Sequence, residues 1–299
     1  MKILLTGASG LLGRAIYNEL TTHSGDRVIG TAFSRAQAPL VKLNLRDRKA
    51  VEQLIGEEKP DLIIHSAAER HPDICRKDPE GTLRLNVEVT RWIAEFAKET
   101  GSLLLYISTD YVFDGTAPPY HPEDTPNPVN LYGKSKLEGE RCIQSILEDY
   151  LILRVPILYG PIESLDESPV TIIARQLMKE NVRTFDNWAN RYPTLTTDIA
   201  VVIRQMIEQR KSGNSAVRGI CHWSGGEALT KYAMALIIAD IIGTAPDSVE
   251  PVNDPPPGAP RPQNPHIDSS KLEKHGIGQR SGFRKSMREI ITPFQRQFS

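Results

Sequence analysis

The chain has 299 residues, which is too long for one compact core and fits one large domain or two smaller ones. Its net charge of −1 excludes a global electrostatic attraction to nucleic acid or to an anionic membrane. No apolar run approaches the roughly 20 residues that a membrane-spanning helix needs, and the three widely spaced cysteines predict buried thiols in a cytoplasmic protein.

Apolar strands alternate with amphipathic helices through the first half of the chain. "KILLTG" predicts a strand, "GLLGRAIYNEL" a helix and "RVIGTAF" a second strand. "RKAVEQLIGEEK" then predicts a helix and "PDLIIHSAA" a strand. A helical stretch from Pro79 to Thr100, the strand "SLLLYIS", a helix from Leu131 to about Leu147 and the strand "YLILRVPIL" follow. Continuous apolar strands separated by helices are typical of a parallel sheet covered on both faces, so we expect a doubly wound α/β fold.

The alternation loosens after Gly160. A helix is expected from Val170 to Lys179, "DIAVVIRQMIEQR" predicts another helix, and "RGICHWS" predicts a further strand of the sheet. The segment "PVNDPPPGAPRPQNP" is too rich in proline for a helix or a central strand, so it predicts a loop. The expected domains are a dinucleotide-binding Rossmann domain of residues 1–160, to which residues 195–223 return, and a smaller C-terminal substrate lobe of residues 161–194 and 224–299.

The segment "TGASGLLG" places three glycines between the first strand and the first helix. Glycines let backbone N–H groups approach a pyrophosphate, and the helix N-terminus adds the positive end of its dipole. The GxxGxxG spacing differs from the GxGxxG form, and a bare turn is the alternative interpretation. The residues predicted to contact a dinucleotide here are Gly7, Ser9, Gly10, Leu11, Leu12 and Gly13.

The end of the second strand bears on which dinucleotide is bound. NAD sites tend to have Asp or Glu there, where it binds the ribose 2′-hydroxyl. In this chain the strand continues into "TAFSRAQ", which offers Ser34 and Arg35 and no acid. A guanidinium suits a 2′-phosphate because it presents several donors in one plane. The sequence therefore favours NADP, with a solvated surface role for Arg35 as the alternative.

Tyr132 and Lys136 lie four residues apart, about one helical turn, on the same face of a predicted helix. A nearby ammonium is expected to lower the pKa of the phenol from about 10. Thr109, at the end of the preceding strand, could hydrogen-bond a substrate carbonyl while Tyr132 protonates the developing alkoxide. A surface Tyr–Lys pair is the alternative, but the glycine loop and the strand ending in Ser-Thr favour a cofactor-adjacent catalytic triad of Thr109, Tyr132 and Lys136.

His65 ends a predicted buried strand. With no second His or Cys at metal-ligand spacing, we expect a packed core histidine and no metal site.

Several motifs together resemble the extended short-chain dehydrogenase/reductase superfamily, and within it the dTDP-4-dehydrorhamnose reductase family. They are the glycine loop, "HSAAE", "STDYVFDG", "YGKSK" and "RPQN". The stretches "AAERHPD", "NLYGKSKLEGE", "RVPILYG", "HWSGGEALTKYAMA" and "GIGQRSGFR" are similar to one branch, the family of regulatory β subunits of methionine adenosyltransferase. That branch keeps the reductase fold and binds NADP, and it acts by associating with the catalytic subunit that makes S-adenosylmethionine.

The resemblance implies roles at matching positions. Ala67 and Ala68 would pass under the cofactor, and Pro156 of "PILYG" would flank the nicotinamide. Arg191 of "RYPT" and Arg261 of "RPQN" would face the substrate pocket, where a basic residue suits a nucleotide diphosphate.

Two departures from the regulatory branch bear on function. Regulatory subunits usually have Ser at the position of Thr109, and their C-terminal tail, which helps to engage the catalytic subunit, extends beyond "ITPFQRQFS". We expect an NADP-binding, non-catalytic regulator that binds methionine adenosyltransferase, with no nucleic-acid or membrane partner. The alternative is an NADPH-dependent reductase of a 4-keto-6-deoxy sugar nucleotide, which the intact triad favours.

Overall fold

The computed structural model describes residues 1–180, 183–245 and 249–295 of the chain. Its strands are β1 (Lys2–Thr6), β2 (Arg27–Ala32), β3 (Val41–Lys42), β4 (Leu62–His65), β5 (Leu103–Thr109), β6 (Leu151–Val155), β7 (Leu158–Tyr159), β8 (Thr184–Asp186), β9 (Thr194–Leu195), β10 (Gly219–His222) and β11 (Glu250–Val252). Its α-helices are α1 (Leu11–His23), α2 (Arg48–Glu58), α3 (Pro72–Lys77), α4 (Pro79–Leu83), α5 (Val89–Thr100), α6 (Leu131–Ile146), α7 (Thr171–Arg175), α8 (Thr196–Lys211), α9 (Lys231–Ile242), α10 (Ser270–Glu273) and α11 (Phe283–Gln295).

Within the described residues, seven strands form one parallel sheet in the order β10–β6–β5–β4–β1–β2–β3. The chain builds outward from β1 to β3 and then returns to build the other half from β4. This reversal between β1 and β4 confirms the doubly wound Rossmann fold. It also brings the carboxyl ends of neighbouring strands to one edge, where ligands bind in such sheets.

Both faces of the sheet are covered because the strands are apolar on both sides. Ile3 and Leu5 of β1 join the apolar cluster beneath α1 and α8, whereas Leu4 joins the cluster beneath α2 and α5. All three side chains are at most 1% exposed. Burying one such side chain contributes roughly 1.5–3 kcal/mol, so a polar residue on either face of β1 would be costly.

The last strand of the seven-stranded sheet, β10, is separated in the chain from its neighbour β6 by several other elements. β10 pairs with β6 in parallel, with Cys221 opposite Leu153, which confirms the predicted strand in "RGICHWS". α8 lies against α1 and is tied to it by an ion pair of 2.8 Å between Arg204 and Glu19. The predicted domain boundaries themselves stay a prediction.

A third apolar cluster lies outside the seven-stranded sheet. It gathers buried side chains of α7, α9 and α11, including Ile173, Met234 and Phe283, around Tyr159 and Phe185. Two short parallel pairs, β7 with β9 and β8 with β11, accompany it. These elements lie largely in the stretches predicted to form the smaller lobe.

The structure differs from the sequence predictions at several elements. The helix expected from Val170 to Lys179 is α-helical only at Thr171–Arg175 and continues as a π-helical turn at Gln176–Glu180. The apolar run "YLILRVPIL" is divided, because Pro156 has no N–H for the ladder, and its last part pairs as β7 with β9. Strand β3 was not predicted, since two exposed residues carry no periodicity. The helical stretch Pro79–Thr100 contains a π-helical turn at Arg84–Glu88. The last four residues of "ITPFQRQFS" and Asn181 and Val182 lie outside the described residues.

No helix in the described parts of the chain combines the length and apolar character needed to cross a bilayer.

Candidate functional site

The glycine loop lies at the carboxyl edge of the sheet and is packed tightly against its surroundings. Gly7 has a φ of +72°, and a Cβ there would lie 3.0 Å from the backbone of Ala67. A Cβ on Gly13 would lie 2.0 Å from the carbonyl oxygen of Gly7, so any side chain at Gly13 would push α1 away from the loop. Ala67, predicted to pass beneath the cofactor, thus lies directly beside the loop.

The first turn of α1 can accept an anion. Gly10 is its N-cap, no described side chain caps it, and the first turn contains no acidic residue. Free N–H groups at the positive end of a helix dipole are what a pyrophosphate requires. Leu11 and Leu12 belong to this turn and Ser9 directly precedes its N-cap, so the residues present fit the phosphates of a dinucleotide.

Arg35, at the end of β2, lies in a cluster of opposite charges. Its Nη1 is 2.6 Å from Oε1 of Glu167 and 3.5 Å from Oε2 of Glu163, and its side chain is 50% exposed. Arg14, in the first turn of α1, lies 2.5 Å from the other oxygen of Glu167. Burial alone would raise the pKa of Glu167, but hydrogen bonds from Arg14, the Glu163 backbone and Arg35 lower it to about 2.

Residues that follow β4 complete this edge. Arg70 donates a hydrogen bond of 2.7 Å to the backbone carbonyl of Glu167. His65 is buried, with Nδ1 2.8 Å from the hydroxyl of Thr6 and Nε2 3.1 Å from that of Thr90. Burial and the charge of Lys136 lower the pKa of His65 to about 3, so it stays neutral in the core, as expected from sequence.

The predicted triad converges where β5 and α6 meet the same edge. Thr109 is buried at the end of β5, and its Oγ1 accepts a hydrogen bond of 3.2 Å from the N–H of Tyr111. Tyr132 lies in the first turn of α6, which Asn130 caps by accepting a 2.9 Å bond from the N–H of Gly133. The rings of Tyr111 and Tyr132 meet edge to face with centres 5.9 Å apart.

The expectation that Lys136 lowers the pKa of Tyr132 is wrong. Burial raises the pKa of Tyr132 well above its usual range; contact with Thr109 and the charge of Arg70 oppose the shift, while Asp110 adds to it. The ammonium of Lys136 instead lies 3.9 Å from the ring centre of Tyr106. Tyr132 is therefore a neutral phenol at physiological pH, able to donate a proton or a hydrogen bond.

A buried ion pair between β6 and α6 lies next to the triad. The guanidinium of Arg154 lies 2.6 Å from the carboxylate of Glu140, and both side chains are 1% exposed. Ser108, next to Thr109, donates a 2.5 Å hydrogen bond to Glu140. Burial lowers the pKa of Lys136 to about 7, and the negative charge of Glu140 opposes that shift. The pair thus fixes α6 against β5 and β6 and keeps a carboxylate near the lysine.

Asp110 is a site residue that the sequence argument missed. It is buried directly after Thr109, whose hydroxyl lies 3.1 Å from its Oδ1. Burial raises the pKa of Asp110 to about 7, with Arg191 as the main opposing charge. Its position beside Thr109 was readable from the sequence, but its burial was not.

The two arginines expected to face a substrate are held by the protein itself. Arg191 is 3% exposed, and its Nη1 donates to the carbonyl oxygens of Asn190 at 2.7 Å and Pro262 at 3.0 Å. Arg261 pairs with Asp73 at 2.6 Å. The substrate-facing role that the resemblance implied for both residues stays a prediction; in the structure Arg191 tethers the "RPQN" segment and Arg261 joins it to α3.

Other expected residues lie at the same edge. Pro156 is buried directly after β6, and Ala68 follows Ala67 beyond the end of β4. Ser34 is exposed beside Arg35. Within the parts of the chain that the structure describes, no cluster of His, Cys, Asp or Glu side chains could hold a metal ion.

Comparisons with known proteins agree with this fold. The family description "RmlD substrate binding domain" matches residues 1–296. A dTDP-4-dehydrorhamnose reductase from Clostridium acetobutylicum superposes with a TM-score of 0.85 at 29% identity, covering 99% of this chain and 100% of the other. The dTDP-4-dehydrorhamnose reductase of Bacillus anthracis, solved in complex with NADP, gives 0.82 at 26% identity, covering 98% of both chains.

A more similar relative is methionine adenosyltransferase 2 subunit beta of Xenopus tropicalis. It is 48% identical over 295 residues, which cover 98% of this chain and 88% of the relative. Identity at this level over nearly the whole chain is not confined to the glycine loop and the Tyr132–Lys136 pair. The chain therefore belongs to the RmlD substrate-binding-domain family and, within it, to the family of methionine adenosyltransferase 2 beta subunits.

Proposed function

We propose that this chain is an NADP-binding regulatory subunit that associates with the catalytic subunit of methionine adenosyltransferase and modulates S-adenosylmethionine synthesis. The observation that carries the proposal is the 48% identity to a beta subunit over 98% of the chain. The burial of Arg191 supports it, because a guanidinium that is 3% exposed and bonded to backbone carbonyls is less available to a nucleotide diphosphate.

The chain's own residues would hold NADP as follows. The glycine loop and the first turn of α1 would bind the pyrophosphate, and Arg35 would bind the 2′-phosphate. Lys136 and Tyr132 would orient the nicotinamide ribose, with Ala67, Ala68 and Pro156 packed against the cofactor. When bound, the cofactor supplies a hydride donor or acceptor, and the half-buried phenol of Tyr132 could give a proton to an oxygen placed beside it.

The same proposal assigns parts of the chain to the two tasks. Residues 1–160 with 195–223 would hold the cofactor, and residues 161–194 with 224–299 would form the smaller lobe. A cytoplasmic location is part of the proposal, and it is supported by three buried free cysteines, Cys75, Cys142 and Cys221.

The test combines association and kinetics. Purified chain is mixed with the methionine adenosyltransferase catalytic subunit, and the mixture is followed by size-exclusion chromatography and by S-adenosylmethionine formation. We expect the two chains to co-elute and KM or kcat of the catalytic subunit to change. Separate elution together with unchanged kinetics would contradict the regulatory function.

A second candidate is an NADPH-dependent reductase of a 4-keto-6-deoxy sugar nucleotide. The buried Thr109 beside Tyr132 favours it, since a hydroxyl and a neutral phenol at the end of β5 can bind a substrate carbonyl oxygen and protonate it. Tyr132→Phe separates the two candidates. A regulator keeps its association and its effect on the catalytic subunit, whereas a reductase loses NADPH oxidation with dTDP-4-dehydrorhamnose.

A further inference from the structure

A short acidic segment, residues 161–168, crosses from β7 to the arginines at the end of β2 and in the first turn of α1. We call this segment the acidic strap. The carboxylate of Glu167 in this strap forms ion pairs with Arg14 at 2.5 Å and with Arg35 at 2.6 Å. The backbone carbonyl of Glu167 accepts a hydrogen bond of 2.7 Å from Arg70. Three arginines from three separate segments of the sheet edge therefore meet at Glu167.

The strap is held in place on its other side. Leu165 is 4% exposed and belongs to the third apolar cluster. The hydroxyl of Ser168 donates 2.8 Å to the carbonyl of Leu158, and that of Thr171 donates 2.9 Å to the carbonyl of Leu165. The strap thus connects the arginines at the cofactor edge with the core formed by α7, α9 and α11.

Glu167 is the part of the strap best placed to act on those arginines. Its side chain is 12% exposed, whereas that of Glu163 is 64% exposed and lies 3.5 Å from both Arg14 and Arg35. Oε2 of Glu167 also accepts a 3.0 Å hydrogen bond from the N–H of Glu163, which fixes the carboxylate.

We infer that Glu167 sets the preference between dinucleotides with and without a 2′-phosphate, because its carboxylate pairs with Arg35, the residue proposed to bind that phosphate. This inference rests on the proposed dinucleotide site. A 2′-phosphate that binds Arg35 would lie close to the Glu167 carboxylate paired with Nη1 of the same guanidinium, and repulsion between the two anions would weaken its binding. A dinucleotide with a 2′-hydroxyl in place of the phosphate puts no anion beside Arg35, so the ion pairs of Glu167 stay intact.

Release of the Glu167 carboxylate would loosen the strap at the sheet edge, where the hydrogen bond from Arg70 to its backbone carbonyl would remain. Leu165 would still anchor it to the third cluster, so the change would pass from the nucleotide to that core. Binding of the phosphorylated cofactor, and not of its unphosphorylated counterpart, would thereby alter the surface around α7.

The test is a pair of fluorescence titrations, with NADPH and with NADH, on the full-length wild-type chain and on Glu167→Gln. Glutamine keeps the size of the side chain and removes the charge that competes with the phosphate. We expect NADPH to bind about three- to tenfold more tightly to Glu167→Gln than to wild type, and the Kd of NADH to change less than about twofold. Thermal unfolding of the ligand-free variant reports whether it is folded.

Two further variants sharpen the result. Glu163→Gln, a more exposed carboxylate of the same strap, should change NADPH affinity less than Glu167→Gln. Arg35→Ala should weaken NADPH selectively, and Glu167→Gln on that background should lose most of its effect, as expected for directly coupled residues. If Glu167→Gln weakens NADPH, or changes both nucleotides equally, or leaves both unchanged, the inference is overturned while the proposed function stands. If neither nucleotide binds the wild-type chain, the inference and the proposed cofactor both fail.

Discussion

The ammonium of Lys136 lies 3.9 Å from the ring centre of Tyr106 on β5, and it makes this contact inside the protein. Tyr132, one helical turn earlier, gains no lowering of its pKa from that ammonium. The Tyr-Lys spacing on α6 therefore places both groups at the cofactor edge without coupling them to each other. A site built in this way can hold a nucleotide through both residues and still lack an activated phenolate.

Lys136→Met should stabilise the protein, most strongly at and below neutral pH. Burial lowers the pKa of Lys136 from 10.5 to about 7. Between these values the unfolded chain binds the proton that the folded chain has lost, so the contribution of this group to the free energy of unfolding rises with pH. We expect a gain of about 1–3 kcal/mol near pH 7, which falls towards zero above pH 10. Urea unfolding of both proteins across this range measures it. A variant less stable than wild type at pH 7 would show that the cation–π contact outweighs burial.

Glu140→Gln should be strongly destabilising. It leaves Arg154, 1% exposed, without its countercharge, and such losses cost about 3–5 kcal/mol. Denaturant unfolding measures the change in the free energy of unfolding. The matched control is Glu138→Gln on the same helix, where the pair with Arg141 is 3.4 Å long and both side chains are about half exposed; we expect less than about 0.5 kcal/mol there. Equal effects at the two positions would contradict a structural role for the buried pair.

Local patterns were enough to predict the sheet and the glycine loop. The apolar run of β1 and the glycines that follow it act over a few residues, and neighbours in the chain decide their structure. Arg14 could have been added to the site, because it directly follows Gly13 in the first turn of α1.

Long-range pairs could not be predicted in the same way. Glu167 reaches Arg35 across a sequence separation of 132 residues, and Arg261 reaches Asp73 across 188. The residues of "SLDES" and "RPQN" do not indicate which distant residues they will contact. Arg35 and Arg261 were therefore predicted as site residues, but their carboxylate partners were not. The Arg35–Glu167 pair depends on how the loop after β7 packs, and the Arg261–Asp73 pair depends on the loop after β11.

Asp110→Asn should flatten the pH dependence of stability between about pH 4 and 7. Burial raises the pKa of Asp110 from 3.8 to about 7, so in this range the folded chain retains a proton that the unfolded chain has lost. Its contribution to the free energy of unfolding is therefore present below pH 4 and declines as the pH rises towards 7. Asparagine keeps an acceptor for the hydroxyl of Thr109 without this cost. We expect the variant to gain stability relative to wild type as the pH rises, measured by urea midpoints at several pH values. A constant difference across the range would contradict the raised pKa.

Gly13→Ala should strongly weaken dinucleotide binding while most of the fold survives. A Cβ at this position would lie 2.0 Å from the carbonyl oxygen of Gly7, which cannot move without changing the loop. We expect NADPH affinity to fall more than about tenfold, together with a loss of stability of about 1–3 kcal/mol from the displaced start of α1. Fluorescence titration and thermal unfolding measure the two effects.

The matched control for this glycine is Gly56→Ala in the exposed part of α2. A Cβ at Gly56 would meet no atom within 4 Å, and alanine is the better helix former, so this variant should gain about 0.5–1 kcal/mol and bind NADPH like wild type. The contrast separates the close packing of the loop from the general effect of adding a methyl group to a helix. If Gly13→Ala bound NADPH as tightly as Gly56→Ala, the glycine loop could not be the place where the pyrophosphate meets the backbone, and the dinucleotide site would have to lie elsewhere on the sheet.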